Sequence, residues 1–142
     1  MHLKLGNGGG VKLKFYEESD LPIYVQLAEW LENEILREQF KAHEKMYSQY
    51  QLADLFTINP ATAGKSLTIL LDNDILYKKR GLGMFVTPDA RNVILSKRKN
   101  EKLTTLVNGI VDEAERLEVP FDELIDMLKR AKAKNEGGIG RD

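Results

Sequence analysis

The chain has 142 residues, a formal net charge of −1, 42% hydrophobic and 30% charged residues, and no cysteine. That length suits one compact domain with a short extra element, and the composition is that of a globular chain rather than a disordered or membrane-embedded one. A disulfide framework and a thiolate zinc site are excluded, no apolar run approaches the ~18 residues of a membrane span, and "MHLKLGNGGG" lacks a signal peptide's apolar core, so a cytoplasmic protein is expected.

In residues 1–19, Leu3, Leu5, Val11, Leu13 and Phe15 alternate with polar residues around a glycine cluster, as either a short hairpin or a frayed terminus would. The period then changes. Ile23, Leu27, Leu31 and Ile35 recur every fourth residue, flanked by Tyr24, Trp30 and Leu36, which predicts an amphipathic helix capped by Asp20, with Pro22 in its first turn and its end near Glu38. The helical spacing of Trp30 with Leu27 and Leu31 reads as core or interface.

After a polar link, Ser48 and Gln51 have the spacing of a capping box, and Leu52, Leu55 and Phe56 supply one apolar face. Only "TIN" separates this short helix from Pro60, a residue tolerated at the first helical position, with Asn59 as cap and Ala63, Leu67, Leu70 and Leu71 on the inner face. Two helices joined so tightly make a helix-turn-helix. "ILYKK" and "MFVT" follow as β-prone runs around Arg80-Gly81-Leu82-Gly83, a hairpin signal closed by Pro88.

Beyond Pro88, Leu103, Val107, Ile110, Ala114 and Leu117 alternate in steps of four and three, and after Pro120 a second helix carries Phe121, Leu124, Ile125 and Leu128. These stripes have no large body of their own to bury them, and "NEGGIGRD" reads as a flexible tail. Charge is uneven here: a basic run (Arg91, Lys97, Arg98, Lys99, Lys102) precedes an acidic one over residues 112–126, and both read as solvated helix faces.

Three enzyme-like patterns fail on inspection. "NPATAGKS" ends as a Walker A loop does, but Asn59 replaces its first glycine and no strand precedes it. Gly81 and Gly83 lack the third glycine of a dinucleotide fingerprint, because Val86 stands there and a strand follows. His43-Glu44 begins a zinc-protease pattern whose second histidine is Tyr47, and with only two histidines in the chain no histidine-rich metal site can form. No enzyme, metal or cofactor is expected.

Taken in order, "LPIYVQLAEWLENEIL", "YSQYQLADLFTINPATAGKSLTILLDNDIL" and "KKRGLGMFV" resemble the GntR family of bacterial transcription regulators over about residues 20–87. The most specific pieces are P-I-Y-x-Q, L-A-x-x-F/L followed by N-P-x-T, and R-G-x-G-x-F-V. The short two-helix appendix resembles the YtrA subfamily. That resemblance implies a mainly α fold with a small β-hairpin wing, organised as an N-terminal segment (1–19), a winged helix-turn-helix (20–88), a helical dimerisation region (89–135) and a tail (136–142).

It also implies a homodimeric repressor of an operon that includes ABC transporter genes, with double-stranded operator DNA as partner. The DNA-binding set would be Ser48, Gln49, Tyr50, Asn59, Pro60, Thr62, Gly64, Lys65, Lys79, Arg80, Gly81 and Gly83, and the dimer interface Leu103, Val107, Ile110, Ala114, Leu117, Phe121, Leu124 and Leu128. For Ser48 a plain N-cap and for the glycines an ordinary tight hairpin are the structural alternatives. Departures from the family pattern are Ala42-His43 for Pro-Gly, Tyr47 for proline, and Tyr50 and Gly64 for two arginines that would read guanine. Those losses, with the near-zero net charge, keep a protein-interaction module open as the alternative. No polar cluster marks an effector pocket, so any effector is unknown.

Overall fold

A computed structural model describes residues 20–139, with the side chains described to residue 137. The readings of residues 1–19 and of the last three residues lie outside that range. Two compact units divide between Ser96 and Lys97.

In the first unit, helix α1 (Ile23–Leu36) buries Leu27, Ala28, Leu31 and Ile35. Its N-cap is Pro22 rather than Asp20: the Pro22 carbonyl accepts from the N–H groups of Val25 and Gln26, both at 3.1 Å. A residue without an N–H loses nothing at a helix start, where the first amides have no partner. The helix stops at Leu36, two residues before Glu38. Glu38 is left-handed (φ 63°), and Arg91 donates to the otherwise open Leu36 carbonyl at 3.0 Å.

Helix α2 (Gln49–Phe56) opens with the capping box: Gln51 N–H donates to Ser48 Oγ at 3.1 Å, and Ser48 N–H donates to Gln51 Oε1 at 2.8 Å. Helix α3 (Pro60–Asp72) begins as its sequence requires, with Ala61 N–H donating to Asn59 Oδ1 at 2.7 Å and Pro60 at the first position. Between them Thr57 holds a left-handed conformation (φ 53°), which makes the turn tight. α3 buries Ala63, Ser66, Leu67 and Leu70 against α1 and α2, and Trp30 meets Phe56 edge-on at 5.0 Å.

Strands β1 (Leu76–Lys79) and β2 (Gly83–Val86) pair antiparallel, Leu76 opposite Val86 and Lys79 opposite Gly83. The polar link before α2 joins them as a third, short run. Lys45 bridges Phe85, Met46 N–H donates to Met84 O at 2.8 Å, and Val86 N–H donates to Glu44 O at 2.9 Å. Since side chains alternate along a strand, Met46, Leu76 and Val86 enter the core while Lys45, Tyr77 and Phe85 share the outer face. Helix α4 (Ala90–Arg98) adds Ala90 and Ile94, a one-turn pair, to this core. That packing carries the unit past the division at 88/89 read from the sequence.

The second unit consists of a π-helical turn (Lys99–Leu103), α5 (Thr104–Arg116) and α6 (Phe121–Ile139). A left-handed Glu118 (φ 57°) ends α5, and Val119 N–H returns to Ala114 O at 2.8 Å, so the two helices fold into a hairpin. Ala114 and Leu124, both 8% exposed, pack inside that hairpin and are not free to face a partner. α6 continues to Ile139, so residues 136–139, read as part of a tail, are helical.

Thr57 is β-branched at positive φ, a conformation that costs an L-residue about 1–2 kcal/mol. Thr57→Gly is expected to stabilise the protein by about 0.5–1 kcal/mol after the added unfolded-state entropy of glycine is counted. Urea denaturation measures this, and a loss of stability would show that the threonine side chain holds the turn.

Candidate nucleic-acid interface

α3 can bury only one stripe, so the opposite one faces solvent: Asn59, Pro60, Ala61, Lys65 and Thr68 are exposed, with Thr62 and Gly64 half-buried at the edges. The first turn of a helix carries amide N–H groups without helical partners and the positive end of the helix dipole, both suited to a phosphate oxygen. In a helix-turn-helix this is the end that meets base edges. The Walker-like reading ends here, because Gly64-Lys65-Ser66 lies inside α3 and Ser66, fully buried, donates to Ala63 O at 2.6 Å.

The charge of Lys65 is not free to swing, since its ammonium sits 5.4 Å from the centre of the Tyr24 ring on α1, a cation–π distance. Ser48 is exposed but its hydroxyl is already occupied in the α2 cap, so the structural role is present whatever else it does. Tyr50 projects from α2 at 70% exposure, a large ring in water with no core role. Gln49 is turned toward α3: its amide lies over Gly64, and its Nε2 makes a long 3.5 Å hydrogen bond to Pro60 O. A methyl group at Gly64 would meet that amide at 3.4–3.5 Å, which is ordinary contact.

On the wing, Lys78, Lys79, Arg80, Gly81 and Leu82 are exposed around a turn in which Leu82 N–H donates to Lys79 O at 2.9 Å. Gly81 (φ 76°) provides the turn's positive φ. Gly83 (φ 114°) also admits Lys45, whose Cε would lie 3.0 Å from a β-carbon there. Lys79 folds back over Phe85, with its ammonium 4.8 Å from the ring centre. The structure therefore adds Lys45 to the wing's cations. Nothing in its local spacing marks it, because its place depends on pairing with a strand forty residues later. His43, half of the failed protease pattern, sits in this same run and shares a 2.8 Å hydrogen bond with the Tyr77 hydroxyl.

Lys45 on the wing and Gln49, the α2 residue whose amide lies over Gly64 of α3, are four positions apart in the chain, which places their backbones within about 14 Å of each other. Of the predicted DNA-binding residues, the structure brings Gln49 against Pro60 and Gly64, while Gly83 on the wing lies against Lys45. Among the described residues no group of His, Asp and Glu is arranged to hold a metal.

No protein-family model matches the sequence. The chain is 26% identical over 124 residues to the HTH-type transcriptional repressor YtrA of Bacillus subtilis, covering 87% of this chain and 95% of that protein. It is 26% identical over 121 residues to the HTH-type transcriptional regulator YhcF of the same organism, covering 85% and 96%. A solved GntR-family regulator from Bacteroides thetaiotaomicron superimposes with a TM-score of 0.69 at 26% identity, over 80% of this chain and 99% of that one.

The chain is similar to GntR-family regulators, the YtrA repressor among them. Near-complete coverage in both directions shows that the GntR likeness includes the short helical appendix as well as the winged helix. These relatives are transcription regulators, not enzymes. Against the family pattern, the structure gives the two missing arginines different surroundings. Tyr50 stands free in solvent, whereas the space beside Gly64 is taken by Gln49.

Gly64 and Gly83 are expected to respond oppositely to alanine. Gly64→Ala should raise stability by up to about 1 kcal/mol through helix propensity, since the Gln49 amide accommodates a methyl group. Gly83→Ala should lower it by about 1–3 kcal/mol, because φ is unsuited to an L-residue and Lys45 is crowded. Thermal or urea denaturation of both variants checks the pair.

Proposed function

We propose that the protein is a homodimeric repressor that binds a two-fold operator through the N-terminal turn of α3 and the basic wing. The observation that carries this is the run from Lys45 to Gln49, which ties the wing's cations to the exposed start of α3. Phosphate contacts from Lys45, Lys79 and Arg80 would set the register of the protein on DNA, and the α3 end would meet the bases. The wing tip, with Gly81 and Gly83, is slim enough to approach a backbone or enter a minor groove.

Support for the dimer comes from the second unit. Leu103, Leu106, Val107 and Ile110 are 41–63% exposed at steps of three and four along one stripe, and Leu117, Phe121 and Leu128 are exposed as well. So much contiguous apolar surface marks an interface, and a heptad-like stripe suits a second copy of the same helix. Recognition helices in such a dimer would stand one helical turn of DNA apart, about 34–36 Å, or a multiple of it. By the YtrA likeness, the regulated operon would include ABC transporter genes, and the protein would act in the cytoplasm.

A second reading, a winged helix that binds protein instead of DNA, draws on Tyr50 and Gly64 in the places of two arginines and on the net charge of −1. Salt dependence separates the two. For a DNA binder, the slope of log affinity against log salt should fall in magnitude by about 0.9 for each phosphate contact removed, so Lys45→Ala and Arg80→Ala should each show that change. An unchanged slope in both variants, or no retention of the wild type on nonspecific DNA at low salt, favours the protein-binding reading. Leu106→Asp should convert the dimer to monomer, measured by light scattering, and weaken operator binding with it.

A further inference from the structure

The place of one missing arginine is filled by a different hydrogen-bonding group. The Gln49 amide lies against the Gly64 backbone, with Oε1, Cδ and Nε2 at 3.4–3.5 Å from where a β-carbon would be, and Nε2 reaches Pro60 O at 3.5 Å. A side chain longer than alanine at position 64 would compete for that space.

We infer that Gln49, seated on Gly64, is the residue that reads the operator's bases, selecting adenine where arginine would select guanine. This rests on the DNA-binding reading above. A glutamine amide has two N–H donors and one carbonyl acceptor. One N–H is directed at Pro60 O at 3.5 Å; with the N–H anti to the carbonyl in that role, the syn N–H stays beside Oε1. That adjacent donor and acceptor match adenine, whose major-groove edge offers the N7 acceptor and the N6 donor. Guanine offers two acceptors, N7 and O6, so its O6 would face Oε1 without a proton between them. Tyr50, the next residue and 70% exposed, adds an apolar ring suited to the thymine methyl of the same pair.

The test is selection of duplexes from a library with randomised half-sites by the full-length protein, followed by fluorescence anisotropy on single-substitution duplexes. The wild type should select an A·T pair at one fixed position of each half-site, and replacing it by G·C should weaken binding about tenfold or more. In Gln49→Ala that ratio should fall below about threefold, with discrimination at other positions and the salt slope unchanged, a pattern that simple loss of structure does not produce. In the near-isosteric Gln49→Glu, preference should move to cytosine, whose N4 amine donates to a carboxylate. Undiminished discrimination in Gln49→Ala, or a selected G·C pair at the position that Gln49→Ala relaxes, overturns the inference while leaving DNA binding intact. Failure of the wild type to select any sequence overturns the operator-binding reading and this inference together.

Discussion

The architecture of the first unit depends on how α3 divides its circumference. Ala63, Ser66, Leu67 and Leu70 fall at three- and four-residue steps and are buried against α1 and α2. At 3.6 residues per turn, that stripe forces Ala61, Lys65 and Thr68 outward. Ser66 is tolerated in the buried stripe because its hydroxyl donates to the Ala63 carbonyl, which leaves no orphaned polar group. The surface proposed to meet DNA is therefore the complement of the core: any change that rotates α3 to expose Leu67 or Leu70 would also withdraw Ala61 and Lys65 from solvent.

A second constraint fixes the wing to that helix. The run before α2 pairs with β2, places Lys45 over Gly83, enters the Ser48 cap and delivers Gln49 onto Gly64 within one short stretch of chain. Two glycines serve two different approaches here. At Gly83 a side chain would be strained by the positive φ and would displace the end of Lys45, whereas at Gly64 only an amide needs the room. With a net charge of −1, the proposed affinity for DNA would rest on this local arrangement of cations and not on overall charge.

Much of the fold was legible because its signals are local. The Ser48–Gln51 box, the Asn59 cap with Pro60 behind it, and the glycine turn at Gly81 each lie within four residues, and the structure contains all three. Contacts between distant segments were not legible. Pairing of Lys45 with Phe85 and the seating of Gln49 on Gly64 depend on tertiary packing that no periodicity encodes. Asp20 looked like a cap because its side chain suits one, but the Pro22 carbonyl takes the first amides.

In the second unit the apolar stripe was read as one interface, yet Ala114 and Leu124 are used to close the α5–α6 hairpin and only the residues around them face solvent. Spacing identifies an apolar face but not which partner covers each part of it. The glycine-rich end of α6 misled for a related reason: glycine weakens a helix by about 1 kcal/mol without forbidding it.

The most direct test of the account is a map of backbone amide shifts as the protein is titrated with a duplex that it retains at low salt. The largest perturbations are predicted at residues 48–50, 59–65 and 79–83, together with Lys45, the region that the capped start of α3 and the wing present to solvent. Perturbations confined to α5 and α6, with α3 and the wing silent, would contradict it.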